Sequence, residues 1–175
     1  IARPRHVFVS CDYSALELCS VAQVTYELFG QSVHRDKINA GYDLHTFLGA
    51  GIAIRKDPDL VDGLTDIDAA YRVLNNKRKA KIAQADERDD HLPYVLKQRA
   101  THFRNLAKPT GLGFPGMLGP DTFVTYAKTT YDVDVTRDEA AELRDFWFQT
   151  YPEMVWYKKW VGQQVGNQNN SEYFV

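Results

Sequence analysis

The chain is predicted to be mainly α with a short β-strand, an α+β fragment, on three observations. Apolar residues recur at the 3.6-residue spacing of a one-sided helix in one segment after another. β-Prone runs are confined to the two ends, Val7-Phe-Val9 near the start and Tyr173-Phe-Val175 at the close. Helix start and stop signals, Thr136-Arg-Asp-Glu139 above all, punctuate the stretch between them.

The 175 residues, 44% hydrophobic and 25% charged, suffice for one domain with a core. The net charge of −2 gives no global sign of nucleic acid, although a local basic patch would serve. Cys11 and Cys19 are too few for a disulfide framework and lack zinc spacing, which points to a reduced intracellular setting. With no long apolar run and no signal peptide, a soluble, cytoplasmic protein without a membrane partner is expected. The chain starts at Ile1 without a Met and closes on the beginning of a strand, so a piece of a longer protein is expected.

The strand should cover Val7 to Cys11 and end at Asp12. Ser14 can cap a helix from Ser14 to Phe29, with Glu17 as the reciprocal partner of a capping box and Gly30 as the stop. A second helix should run from Leu44 to Ile54 and break at Asp57-Pro58. Residues 55–90 change character: two turn-like stretches, then a helix from Ile67 to Ala85 carrying the Lys77–Lys81 run, then Asp86–Asp90. Opposed charge blocks of this kind read first as a solvated helix and loop, and second as an insertion brushing a nucleic-acid backbone. The helical period returns from Leu92 to Ala107. From Lys108 to Pro120, two internal prolines and four glycines are hostile to a regular helix. Helices are then expected from Asp121 to Tyr131, from Thr136 to Thr150, and from Pro152, as first residue, to Val165, before a turn at 166–170.

Three features share one chemical task. Asp12, at the end of a strand, offers a carboxylate to a hard cation. Arg104 and Lys108 are four apart and share a helix face, one a planar fork and the other a point charge for phosphates. His45 adds a further donor. A carboxylate-bound Mg²⁺ opposite a cationic helix is the minimal outfit for phosphoryl or nucleotidyl transfer.

Order and spacing carry a resemblance. Asp12-Tyr-Ser-x-x-Glu-Leu18 resembles motif A of the family A (polymerase I-like) DNA polymerases. Asp43-Leu-His-Thr46 resembles the Asp-Ile-His-Thr segment that follows it in that family. Arg104-x3-Lys108-x3-Leu112-Gly113 resembles motif B, on the O helix of the fingers, and Phe148–Trp156 resembles a later Phe-x-x-Tyr/Phe-Pro segment. The resemblance implies the fingers subdomain and part of the palm of a right-hand polymerase. Residues 1–30 would be palm; 31–135 would be fingers, with a charged insertion at about 55–90 and motif B at 104–119. Residues 136–175 would be helices returning towards the palm.

The roles implied by the resemblance are specific. Asp12 would be a catalytic aspartate bridging two Mg²⁺ ions, with the Tyr13 backbone carbonyl as a further metal ligand. Glu17 would crowd a ribose 2′-OH and select deoxynucleotides. His45, Arg104 and Lys108 would line the triphosphate, with Lys108 the general acid for the pyrophosphate leaving group. Leu112 would stack near the incoming sugar and base. The partners would be primer-template DNA and dNTPs, with a processivity factor or other replisome proteins open, and the work replication of viral or phage DNA in the host cytoplasm.

The departures are also specific. Leu112 stands where the family has Phe or Tyr, and Gly116 where it has a Tyr. Pro109 and Pro115 predict a kinked or shortened O helix. Leu112 and the Pro-Gly-rich motif B look more like phage or other viral members. The His-Asp-Glu triplet of motif C does not occur in the chain, so these residues alone are expected to be inactive. Two rivals stand beside this reading. A metal-dependent phosphohydrolase would need more carboxylates near Asp12. A non-catalytic nucleic-acid-binding helical module would leave Asp12 and Glu17 without a task.

Overall fold

Helix α3 (Leu44–Lys56) is the axis of the molecule, because Phe47-Leu-Gly-Ala-Gly-Ile-Ala53 is apolar or small all round and can only be buried. The computed structural model describes Val7 and residues 15–167, with side chains through 165. Seven further α-helices accompany α3 among the described residues: α1 (Leu16–Phe29), α2 (Val33–Asn39), α4 (Ile67–Lys79), α5 (Leu92–Gly113), α6 (Pro120–Tyr131), α7 (Arg137–Thr150) and α8 (Glu153–Asn167). Single 3₁₀ turns lie at Pro58–Val61, Gln84–Asp86 and Phe114–Gly116. The described part of the protein is thus mainly α, with no strand.

Missing side chains let the helices close on α3. A Cβ on Gly49 would sit 2.8 Å from the Phe103 carbonyl oxygen, so α5 runs against α3 nearly backbone to backbone. A Cβ on Gly51 would collide with the Phe146 ring of α7. Into this frame α4 sends Ala70, Tyr71 and Leu74, and α7 sends Leu143, Phe146 and Trp147. Phe114 stacks on Phe123 of α6 at 4.4 Å and completes the core beside Trp147.

Local signals placed several elements. Thr136 forms the full capping box with Glu139: the Glu139 N–H donates to the Thr136 hydroxyl at 3.2 Å, and the Thr136 N–H donates to Glu139 Oε2 at 3.0 Å. Asp43 caps α3 by accepting from the His45 and Thr46 N–H groups.

Elsewhere the structure departs from expectation. The predicted strand lies outside the described residues except for Val7, which is exposed and has no regular structure. Helix α1 starts at Leu16 rather than Ser14, behind a left-handed Ala15 (φ 55°) with no side-chain cap; Ser14 is itself outside the described residues. Helix α2 was not expected; Ser32 caps it by accepting from the Arg35 N–H at 3.2 Å. Helix α4 stops at Lys79 rather than Ala85. Leu74 is its last buried residue, and the basic run beyond it has no apolar face to keep it on the core. Helix α8 reaches Asn167, so Gly166 and Asn167 are helical rather than part of a turn.

The largest departure is α5, which runs unbroken through Pro109 to Gly113. An interior proline costs roughly 3 kcal/mol, because it removes a donor and crowds the carbonyl four residues back. That carbonyl belongs to Asn105, which is exposed, so solvent can satisfy it. The Pro109 ring is buried, and its neighbours Ala107, Thr110, Gly111 and Gly113 are all packed in the interior. Burial of this last turn outweighs its poor intrinsic propensity. The expected shortening of the helix is therefore corrected: regular structure ends only at Phe114, where a 3₁₀ turn carries Pro115 and Gly116.

Candidate functional site

The closeness of α3 and α5 assembles the site. The N-terminus of α3 carries Asp43 and His45, and the facing stretch of α5 carries Arg104 and Lys108. Arg104 Nε donates to Asp43 Oδ2 at 2.8 Å. Two helical turns further along α5, Gly111 leaves room for the imidazole: a Cβ there would stand 3.6 Å from His45 Nδ1. Asp43 and Arg104, 61 positions apart in the chain, therefore meet at one helix crossing.

Charge at this crossing is unbalanced. Burial works against ionisation of Asp43, but the Arg104 guanidinium and the Thr46 donors outweigh it and hold the carboxyl below its ordinary value. His45 is pushed down to about 4, first by burial and then by the positive charges of Arg104 and Lys108, with Asp43 and Glu17 pulling the other way. The imidazole is therefore neutral at pH 7 and offers one N–H. Lys108 forms no ion pair among the described residues. It borders a cavity of about 500 Å³ shared with Asn105, Thr129, Thr130, Tyr131 and Asp132.

The other sequence-predicted residues fall as follows. Glu17 is exposed on the first turn of α1, and its charge is felt by both His45 and Tyr126, so it faces the same region. Leu112 is half-buried near the end of α5. Gly116 is exposed, with nothing within 4 Å of where a Cβ would stand. Tyr126 of α6 instead brings an aromatic ring against this end of α5: a Cβ on Gly113 would meet it at 3.0 Å. Asp12 and Tyr13, the proposed metal ligands, lie outside the described residues. Among the described residues no group of three or more His, Cys, Asp or Glu side chains is placed to hold a metal ion. Asp43 does not fit that task, since Arg104, Thr46 and two backbone N–H groups already occupy its oxygens.

Two participants escaped the sequence reading. Asp43 was visible only as part of a motif, and its pairing with Arg104 depends on the helix crossing. Arg78 of α4 reaches the same carboxylate, with Nη2 3.5 Å from Oδ2. Its only signal in the sequence was membership of a basic run that reads as a solvated face.

Residues 57–79 are not merely a charged appendage: Leu60, Val61, Ala70, Tyr71 and Leu74 from this stretch are buried in the core. No helix among the described residues is long and apolar enough to cross a membrane. Comparison of the chain with protein-family models, with curated proteins and with solved structures finds no match.

Proposed function

We propose that the crossing of α3 and α5 binds the triphosphate of a deoxynucleotide, as part of a DNA-directed DNA polymerase acting on primer-template DNA. The supporting observation is that Arg104 on Asp43, a neutral His45, and Lys108, which has no ion pair among the described residues, meet where α3 crosses α5. A polyphosphate supplies the negative charge that such a cluster lacks.

Each side chain has a distinct task in this reading. Arg104 spends Nε on Asp43 and keeps its terminal nitrogens for phosphate oxygens. Lys108 protonates the departing pyrophosphate. His45 donates its single N–H. Glu17 limits the space beneath the sugar, and Leu112 gives that sugar an aliphatic surface. Two Mg²⁺ ions, held by Asp12 and the Tyr13 carbonyl, would supply Lewis-acid activation of the attacking hydroxyl.

The test uses the imidazole as reporter. In the free protein the His45 ring protons should titrate near pH 4 by NMR. Binding of dATP should raise that midpoint by about one unit or more, because an adjacent anion favours imidazolium. Lys108→Ala should weaken dATP binding by roughly tenfold, in line with a lost charge-assisted contact. A His45 midpoint indifferent to dATP would sink the reading. The gate assignment has its own check in the full-length enzyme. Glu17→Ala should admit ribonucleotides into a primer, and Asp12→Asn should abolish extension while leaving DNA binding intact.

The same group makes stability pH-dependent. Its folded value, near 4, lies below the unfolded 6.5, so the unfolded chain binds more protons between them. Stability should fall as pH drops through that window, by at most about 3 kcal/mol, and His45→Gln should flatten the slope in urea melts.

A further inference from the structure

Arg78 lies outside every motif that frames the site, in the charged stretch at 55–90. The packing of α4 nevertheless delivers its guanidinium to Asp43. Arg78 Nη2 is 3.5 Å from Oδ2, the same oxygen that Arg104 Nε reaches at 2.8 Å and the Thr46 hydroxyl at 3.1 Å. At 3.5 Å the Arg78 contact is a charge pairing rather than a good hydrogen bond. Asn75, one turn back on α4, accepts from Nη2 at 3.1 Å and steadies the fork. Arg78 Nε is buried and has no hydrogen-bond partner among the described residues. A buried guanidinium N–H left unmatched is costly, and the Nη2 of the same guanidinium approaches an oxygen already shared among several donors.

The local count of charges points the same way. Asp43 faces Arg78 and Arg104, with Lys108 one turn further along α5 and His45 held neutral by its surroundings. Among the described residues, the other acidic group acting on this region is the exposed Glu17. Asp43 behaves as an internal stand-in for an anion: it holds two guanidiniums beside each other, and an incoming polyanion would compete for both.

We propose that Arg78 is a further phosphate-binding residue, a second guanidinium that α4 contributes to the site and that Asp43 holds until a polyphosphate displaces it. This rests on the nucleotide-binding reading above and extends it to a residue no motif marks.

Calorimetric titration of the 175-residue chain at low salt tests it, with inorganic tripolyphosphate and dATP as separate probes. Arg78→Ala should weaken both by about tenfold, and Arg78→Lys by less, since a point charge replaces a fork. Asp43→Asn should tighten both several-fold. Asn keeps the cap of α3 while removing the competing charge. The gain should shrink when Arg78→Ala is added, because the two groups then no longer compete. If Lys108→Ala weakens binding but Arg78→Ala lowers only the melting temperature, Arg78 is a structural residue and the inference fails while the site stands. A loss for dATP alone would move Arg78 from the phosphate chain and also overturn it. If the unaltered chain binds neither probe at millimolar concentration, site and inference fall together. Should Arg78→Ala not fold, Arg78→Lys and Asp43→Asn decide: unchanged affinity in both refutes the proposal.

Discussion

Glu153→Ala is expected to destabilise the protein by about 3 kcal/mol, the cost of leaving buried donors without their shared acceptor. Glu153 and His34 are each 1% exposed, and they join residues 119 positions apart. Glu153 Oε1 faces three donors: the His34 backbone N–H at 3.1 Å, the His34 ring at Nδ1 at 3.0 Å, and the Ser32 hydroxyl at 3.4 Å. Thr25 of α1 donates to Ser32 at 2.9 Å, so the cluster ties α1 and α2 to the start of α8. Stacking of the His34 ring on Tyr151 at 3.7 Å fixes its plane. Removal of the carboxylate strands all three donors in the interior. The loss should appear as a lower urea midpoint with an unchanged m value.

The same carboxylate carries a pH signature. Burial opposes its ionisation, but the His34 bonds outweigh burial and hold the carboxyl below its ordinary value of 4.5. A depressed folded pKa gives stability that is complete above the unfolded value and lost as pH falls beneath it. Wild-type urea midpoints should therefore drop below about pH 4.5, and Glu153→Gln should lack this part of the drop. The Gln variant retains an acceptor, so its cost at pH 7 should be smaller than that of alanine.

Gly49→Val should cost about 3 kcal/mol or more, and lower the melting temperature by roughly 10 °C. The obstacle is backbone, the Phe103 carbonyl oxygen at 2.8 Å from the position of the new Cβ, so no side-chain rotation relieves it. Helices α3 and α5 must part. Parting separates Asp43 from Arg104, which couples this stability defect to the site. His45 should then titrate closer to its ordinary value, because its burial depends on the same crossing. Gly116→Ala is the matched control: open space surrounds that position and its φ is ordinary, so it should be neutral or slightly stabilising. Equal melting temperatures for the two variants would refute the account of the crossing.

Some of this was visible in the residues alone. Thr136 and Glu139 are three apart and satisfy each other, so α7 could be placed without knowing its neighbours. The spacing of Arg104 and Lys108 put both on one helix face, and the structure brings that face to His45. Helix α2 was missed because seven residues offer too little periodicity to stand out, and Ser32 does most of its work through Thr25 and Glu153. Pro109 was misjudged because propensity counts the lost donor and cannot see the burial that compensates it.

What the sequence determined by itself is the mainly helical class, the strongest caps and the residue types suited to phosphate chemistry. These depend on interactions within four residues, which a linear reading can follow. Tertiary structure alone decided that α5 passes through Pro109, that Arg78 reaches Asp43, and that a buried His34–Glu153 pair locks α1 and α2 to α8. Each joins positions whose energies depend on burial. Burial belongs to the packed chain, because the same guanidinium that is solvated on a lone helix meets the Asp43 carboxylate once α4 lies against α3.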